Sequence, residues 1–446
     1  MTTPPRPLHA DSLSRRDFVR LSAGTVAGAM IAASPALASS GLSRLTQPLK
    51  VGVIGCGGRG TGAAVQALRA DSNCILHAMG DVFADRLASS LKAITEEMGD
   101  DAPGKVQVPA ERQFTGFDNY HKVIESGVDV VLITGYPAFR PEHYRAAIAA
   151  GKHVFAEKPL AVDSPGIRLV LETAEKARQK NLASLVGFCW RFNTGMKGAF
   201  DRLHSGAIGD VVSAHTTYHT STLSKRPRKP EWSDLEFQMR NWWHFNWISG
   251  DHIVEQAIHS VDRLAWAMND KMPTKVTCLG GRAARSGPEH GDVFDHFAAI
   301  YEYDDGRRAF HTCRQIDGCP SDNTDYIHGS SGSAIINGWV PTYHFKDKSN
   351  AITWKGPGKP EDASAMYQNE HDDLFRSIRE GKPINDVERG ANSTLMAIMA
   401  RMAAYTGQTV SWQQAMESKE SLVPDKLEFG PFPTPEVAIP GKRKLI

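Results

Sequence analysis

The spacing of apolar residues divides the chain into stretches of different texture. From Leu49 to about Ala161, short apolar runs alternate with segments whose apolar residues recur at helical spacing. Val51, Val53 and Ile54 open this series as a strand, and Ala63, Ala64, Val65, Ala67 and Leu68 follow on one helix from near Thr61. Cys74–Asp81 predicts the next strand and Ala84–Met98 the next helix, with a turn and helix over 116–126. Val128–Thr134 is almost continuously apolar, as expected of a parallel strand covered on both faces. Glu142–Ala150 reads as a helix ended by Gly151, and His153–Ala156 as a further strand. This repetition predicts a doubly wound parallel sheet, an α/β fold. Ala174–Lys180 then looks helical and 183–188 looks like a buried strand.

Beyond about Gly209 the period shortens to two. Val211–Tyr218, Val276–Leu279, Phe297–Tyr303 and Arg308–Arg314 predict a mostly antiparallel sheet. One long helix is expected at 253–268, with others at His371–Arg379 and Ala391–Thr406. Prolines at 424, 431, 433, 435 and 440 predict an extended tail over 418–446. The expected organisation is a leader at 1–38, a first domain at 48–175, a second at 176–417, and that tail.

The leader is read from Ser14-Arg-Arg-Asp-Phe-Val19, a weakly apolar Ala/Gly/Ser-rich run from Leu21 to Ala38, and its Ala36-Leu-Ala38 end. These are the basic, apolar and cleavage regions of a secretory signal, and the paired arginines resemble the twin-arginine type. The run is barely long enough, and too poor in large apolar side chains, for a membrane anchor. Export to the periplasm is therefore expected, with no stable membrane anchor. With 51 basic against 50 acidic residues, the net charge of +1 gives no reason to expect nucleic acid as a partner. The one basic cluster, Lys225-Arg-Pro-Arg-Lys-Pro230, reads as a solvated loop. The six cysteines lack metal-type spacing, although Cys313 and Cys319 are close enough to pair.

Candidate chemistry begins where the first strand meets its helix. Gly55, Gly57 and Gly60 have G-x-G-x-x-G spacing, with Gly58 and Arg59 between them. In a dinucleotide site the first glycine allows the tight turn, the second admits the pyrophosphate, and the third lets helix and strand pack closely. Asp81 ends the next strand, where a carboxylate binds ribose hydroxyls and repels a 2′-phosphate. NAD is therefore expected, with NADP left possible by Arg59 and Arg86. Ligands in such sheets sit at the carboxyl ends of strands, so Tyr136 and Pro137 are placed along the cofactor, as are Glu157 and Lys158 of Glu157-Lys-Pro159. A lysine there would stabilise developing alkoxide charge.

A second constellation is Gly250-Asp-His-Ile-Val-Glu-Gln-Ala-Ile-His-Ser-Val-Asp262. On a continuous helix His252, Glu255, His259 and Asp262 would share one face. The arrangement suits a general acid/base histidine flanked by carboxylates, but equally a structural His–Asp network or a divalent metal site. The preferred reading involves no metal. Asn241-Trp-Trp-His-Phe-Asn-Trp247 offers aromatic faces either for sugar or for a core. Candidate substrate contacts are Arg191, Trp243, His252 and His259.

Val51–Gly60, Asp81, Glu157-Lys158-Pro159, Gly187-Phe-Cys-Trp-Arg191 and His259-x-x-Asp262 together resemble the glucose–fructose oxidoreductase/inositol dehydrogenase (Gfo/Idh/MocA) family. The resemblance implies an N-terminal Rossmann domain and a C-terminal α/β domain with an open, mostly antiparallel sheet. It also implies a tightly held nicotinamide cofactor, a sugar or cyclitol substrate, Lys158 as catalytic lysine and His259 as acid/base. Family members often carry aspartate four residues before the histidine, where this chain has Glu255. Catalytic candidates are thus Lys158, His259, Glu255 and Asp262. The open sheet face implies a homo-oligomer, dimer or tetramer.

Export adds a constraint, because little free NAD is available outside the cytoplasm. A cofactor retained and recycled in the site is expected, serving an oxidoreductase that acts on a sugar or cyclitol hydroxyl. The alternatives are a redox-neutral NAD-dependent glycoside hydrolase and a non-catalytic sugar- or nucleotide-binding protein.

Overall fold

Parallel pairing begins at once. In the computed structural model, which describes residues 47–359 and 361–446, β1 (Leu49–Ile54) lies between β2 (Cys74–Asp81) and β4 (Val130–Ile133). With β3 (Gln113–Thr115), β5 (His153–Glu157) and β6 (Ser184–Gly187) they form a six-stranded parallel sheet in the order β3-β2-β1-β4-β5-β6. The order reverses between β1 and β4, and ligands bind at such a switch point. All four residues of β4 are buried, as a strand covered on both faces requires. Helices α1 (Gly58–Ala70) and α2 (Ala84–Met98) belong to the first two crossovers. The signal-like segment 1–38 lies outside the described residues.

The parallel sheet continues past the expected division at 175, which falls inside α3 (Ser164–Gln179). That helix starts ten residues before the expected Ala174, and its buried face already includes Ile167 and Val170. The Asp163 carboxylate caps it by accepting from the Gly166 amide at 2.9 Å, and Pro165 occupies the first turn, where its missing N–H costs nothing.

The second sheet has nine strands in the order β14-β13-β12-β11-β7-β10-β9-β8-β15. They are β7 (Val211–Thr220), β8 (Lys275–Gly281), β9 (His296–Glu302), β10 (Arg308–Gln315), β11 (Thr324–Gly329), β12 (Gly332–Asn337), β13 (Thr342–Asp347), β14 (Ile352–Lys355) and β15 (Val410–Ser411). Every pairing is antiparallel except β7 with β10. Burial alternates along β10, so one face is covered while Phe310 and its cross-strand partner Ile300 face outward.

The long helix expected at 253–268 is two pieces, α4 (His252–Glu255) and α5 (Ile258–Ala267). In an unbroken helix the Glu255 carbonyl would accept from the His259 amide. Here it accepts from Lys158 Nζ at 2.6 Å, while the His259 amide reaches Gln256 O at 3.4 Å. The helix is interrupted at the point where a side chain from the parallel sheet takes its carbonyl. Two longer helices follow, α6 (Asp362–Arg379) and α7 (Val387–Thr406), the latter packed on the second sheet.

Residues 418–446 contain no helix or strand, yet they are packed down: Phe432 lies 5.3 Å from Trp247 and Phe429 lies 5.8 Å from Phe83, centroid to centroid. All six cysteines are unpaired. Cys313 is buried in β10, while Cys319 lies in the following loop, so the bridge their spacing allows is not formed.

Candidate active site

β1 ends at Ile54, and the chain turns at Gly55 with φ +100°, a conformation open to glycine and strained for other residues. A Cβ at Gly60 would lie 1.9 Å from Gly55 O, so a side chain there would force α1 off the strand. Gly57 and Gly58 differ: a Cβ on either meets nothing within 4 Å. Both border a cavity of about 700 Å³. The turn glycine, the open cradle and the close helix contact are thus all present, and the start of α1 points its free amides at the cradle.

Asp81 stands beside this loop. Its Oδ2 accepts from the Cys56 amide at 2.6 Å and its Oδ1 from the Phe83 amide at 2.8 Å. Each oxygen keeps lone-pair capacity for a ribose hydroxyl. Burial raises the Asp81 pKa, and the two amides and Arg86 work against that. The open cradle and this carboxylate fit NAD. Arg86 donates to Tyr136 Oη at 2.7 Å and lies 5.6 Å over that ring, and both line the cavity.

Arg59 also lines the cavity, but its guanidinium is committed. Nε donates to Glu157 Oε1 at 2.6 Å and Nη2 to Glu370 Oε1 at 3.3 Å. Burial opposes its charge, and the two carboxylates outweigh burial. The expected role for Arg59 in accommodating a 2′-phosphate is therefore corrected: it ties the glycine loop to the strand end carrying Lys158. Pro137 is buried in a short turn behind Tyr136 and does not line the cavity, and Gly60 acts through packing alone.

At the far end of the cavity Lys158, Glu255 and His259 come together. Lys158 Nζ lies 3.7 Å from Glu255 Oε1 in addition to its bond with the Glu255 carbonyl. His259 packs edge-on to Phe188 at 6.5 Å, and its Nδ1 is buried without a hydrogen-bond partner. Burial first, and then the Lys158 charge, hold its pKa well below the ordinary imidazole value. The ring is neutral near pH 7 and ready to accept a proton.

The other members of the expected helix face lie elsewhere. Asp262 is buried and bound by Arg191 at 2.8 and 3.0 Å, by Ser393 at 2.8 Å and by Arg389 at 3.4 Å. Arg191 also pairs with Asp270 and lies 5.0 Å over Trp266. Neither residue reaches the cavity, so the catalytic expectation for Asp262 and the substrate expectation for Arg191 are corrected to a structural ion-pair cluster. His252 is likewise buried away from the cavity, 5.1 Å from Phe297. The helix break disperses the four-residue face, and with it the metal set His252, Glu255, His259 and Asp262. Trp243 does line the cavity, as does Trp242.

Several lining residues escape the sequence reading. Arg140 is buried, donates to Pro159 O at 2.7 Å and to Gly135 O at 2.8 Å, and is pushed down to about 10 by burial. It braces the Glu157-Lys-Pro159 turn, and its only signal is its place shortly after Tyr136. Tyr367 arrives from α6 and lies under Arg59, 4.7 Å from ring to guanidinium. Arg226 comes from the loop after β7, and Arg240 ends the short helix Asp234–Arg240, where it pairs with Asp85 and Glu236. None of these three carries a local motif.

A model described as the oxidoreductase family's NAD-binding Rossmann fold matches residues 49–184, and the GFO/IDH/MocA C-terminal domain model matches residues 197–335. Inositol 2-dehydrogenase 3 of Saccharopolyspora erythraea is 28% identical over 260 residues, 58% of this chain and 64% of that protein. Inositol 2-dehydrogenase of Pseudomonas fluorescens is 30% identical over 223 residues, 50% of this chain and 55% of that protein. The chain therefore spans less than two thirds of either relative. Among solved structures, levoglucosan dehydrogenase in complex with NADH and levoglucosan superposes with a TM-score of 0.64 at 19% identity, covering 82% of this chain and 99% of that one. Apo scyllo-inositol dehydrogenase from Lactobacillus casei gives 0.61 at 21%, covering 82% and 98%. At such identities the likeness establishes the fold.

Proposed function

The chain belongs to the GFO/IDH/MocA oxidoreductase family, and on that premise we propose that it is an exported NAD-dependent oxidoreductase acting on a CH–OH group of a sugar, sugar derivative or cyclitol. The observation that carries this reading is the single cavity bordered by the glycine loop and Asp81 as well as by Lys158, Glu255 and His259.

Bound NAD supplies a hydride acceptor at the nicotinamide. The protein supplies the rest. Neutral His259 takes the hydroxyl proton, and the Lys158 ammonium donates a hydrogen bond to the oxygen as negative charge develops on it. Glu255, beside Lys158, holds that ammonium in place. In the reverse direction His259 returns the proton to a carbonyl. Asp81 selects NAD over NADP by repelling a 2′-phosphate. Trp242 and Trp243 offer flat faces to the carbon-bound hydrogens of a ring.

Ser14-Arg-Arg16 and Ala36-Leu-Ala38 support export by the twin-arginine route, which carries folded proteins. Cofactor would then be loaded before export and recycled between one substrate and another. The outward apolar residues Ile300, Phe310, Tyr326 and Leu279 support pairing of copies through the second sheet. Replacing Arg15 and Arg16 together by lysine should hold the precursor in the cytoplasm; unaltered export would remove the localisation argument.

The test is to purify the mature protein, identify any bound nucleotide by mass, and offer sugars and cyclitols in pairs without added NAD. One partner oxidised and the other reduced is the expected result. Glycoside cleavage with deuterium from D₂O at a ring carbon, and no net redox change, would overturn the oxidoreductase reading.

A further inference from the structure

A second cavity of about 710 Å³ lies outside the chemistry described so far. It runs between the basic stretch after Lys225 and the packed-down segment 432–434. Arg226 is in the wall of both cavities. The first, from Asp81 to His259, is the one that the proposed function assigns to the dinucleotide and the reacting ring. The second is of similar volume, and no glycine loop lines it.

Its surface is suited to a particular chemistry. Phe432, Pro288 and Pro433 give flat apolar walls, against which the carbon-bound hydrogens of a pyranose ring can lie, and the buried Phe237 backs them with Arg228 5.4 Å over its ring. Of the three cations along it, Lys225 is paired with Glu289 at 3.4 Å and Arg228 with Asp234 at 2.6 Å. The Arg226 guanidinium has no ion pair or hydrogen bond among the described residues. Its backbone is fixed, however, by donating to Asn241 Oδ1 at 3.0 Å. An exposed donor fork that lines both cavities can reach the bridging oxygen between two sugar units and the hydroxyls beside it. The far wall is held in position: Gln238 donates to Phe432 O at 2.8 Å, and Asp234 accepts from the Phe432 amide at 3.2 Å.

We propose that the substrate is a glycoside longer than one ring. Its terminal ring is oxidised at Lys158 and His259, and its second ring lies in the groove between the 225–228 loop and Phe432, with Arg226 at the junction. This rests on the oxidoreductase reading above and specifies the substrate class of that site. The basic cluster is thereby given a task that its sequence alone does not suggest.

The experiment uses the purified holoenzyme and compares kcat/KM for monosaccharides with that for the corresponding disaccharides. Wild type should prefer disaccharides by about tenfold or more, the scale of one stacked ring. Phe432→Ala removes one wall and Thr434→Trp fills the groove from an exposed position. Each should reduce the disaccharide-to-monosaccharide ratio about tenfold, mainly through KM. Titrating the holoenzyme with a disaccharide whose terminal ring lacks its hydroxyl groups adds a binding readout independent of turnover. Saturable binding that Thr434→Trp weakens is the expected result. A ratio near one in wild type, unchanged in both variants, would overturn the inference while leaving the oxidoreductase standing. Failure of every sugar of either length would overturn the oxidoreductase reading and this inference with it, whereas oxidation of monosaccharides alone would overturn only the inference.

Discussion

Asp262 separates the structural account from the one its sequence position suggests. Spacing from His259 invites a catalytic role, yet the carboxylate is buried against Arg191, Arg389 and Ser393, outside the cavity. Burial works to raise its pKa, and Arg191 and Arg389 outweigh burial to hold it below the ordinary value. Its ionised form therefore stabilises the fold above the unfolded carboxyl's pKa, and that contribution is lost as pH falls through the lower folded value. Replacing it by alanine strands Arg191, whose side chain is 9% exposed. Removing one partner of a buried pair costs about 3–5 kcal/mol, and the remaining Asp270 contact places the loss near the lower end, about 3 kcal/mol. The unit Pro48–Ile446 has roughly 400 residues, and at about 2.1 cal/mol/K per residue its unfolding entropy is about 0.8 kcal/mol/K. Asp262→Ala should then lower Tm by about 4 °C, measured by calorimetry on the holoenzyme near pH 7. Activity per folded molecule should stay within about threefold, and Asp262→Asn should behave similarly with a smaller Tm change. An Asp262→Asn protein with unchanged Tm and kcat reduced more than about a hundredfold would refute this reasoning.

The remaining predictions concern the cavity. Gly57→Val, whose side chain enters open space, should keep wild-type Tm without nucleotide and lose retained NAD on purification; Gly60→Val, facing Gly55 O at 1.9 Å, should instead fold poorly or melt early. Asp81→Ala should weaken NAD and relax discrimination against NADP, read as the ratio of dissociation constants after cofactor removal, because the repulsive carboxylate is gone. Because burial and Lys158 lower the His259 pKa, the base is already neutral at pH 6.5, so the acid limb of kcat/KM should lie below that value. A limb at or above 6.5 assigned to His259 would contradict the geometry. His259→Ala should reduce kcat by about 10²–10⁴ with the fold intact.

The parallel sheet was legible because each strand is short, apolar and bounded by a turn, and because Ala84–Met98 has a clear helical face. The glycine loop and Asp81 were legible for a related reason: backbone approach and ribose recognition restrict residue type at fixed spacing. The helix around His259 was not. Nothing near Gln256 in sequence signals a break, because its cause is Lys158, nearly a hundred residues earlier, taking the Glu255 carbonyl. The same break separates Asp262 and His252 from His259, so the one-face argument fails for them. Arg140, Arg226 and Tyr367 reach the cavity only through tertiary packing, with no motif to announce them. Strands β11 to β14 were hidden by short polar-rich runs, whereas the start of α3 carried its own signals, the Asp163 cap and Pro165, and was missed.

The central claim is that Lys158 and His259 work on a sugar hydroxyl against NAD held in the same cavity. A single-turnover experiment tests it most directly: the holoenzyme with its retained nucleotide is mixed with a substrate deuterated at the carbinol carbon, and the cofactor is released and weighed. The account predicts one deuterium on the nicotinamide in wild type, and transfer slowed by at least about a hundredfold in Lys158→Met with the nucleotide still bound. Oxidised sugar with no deuterium on the cofactor, or a Lys158→Met protein transferring at the wild-type rate, would contradict it.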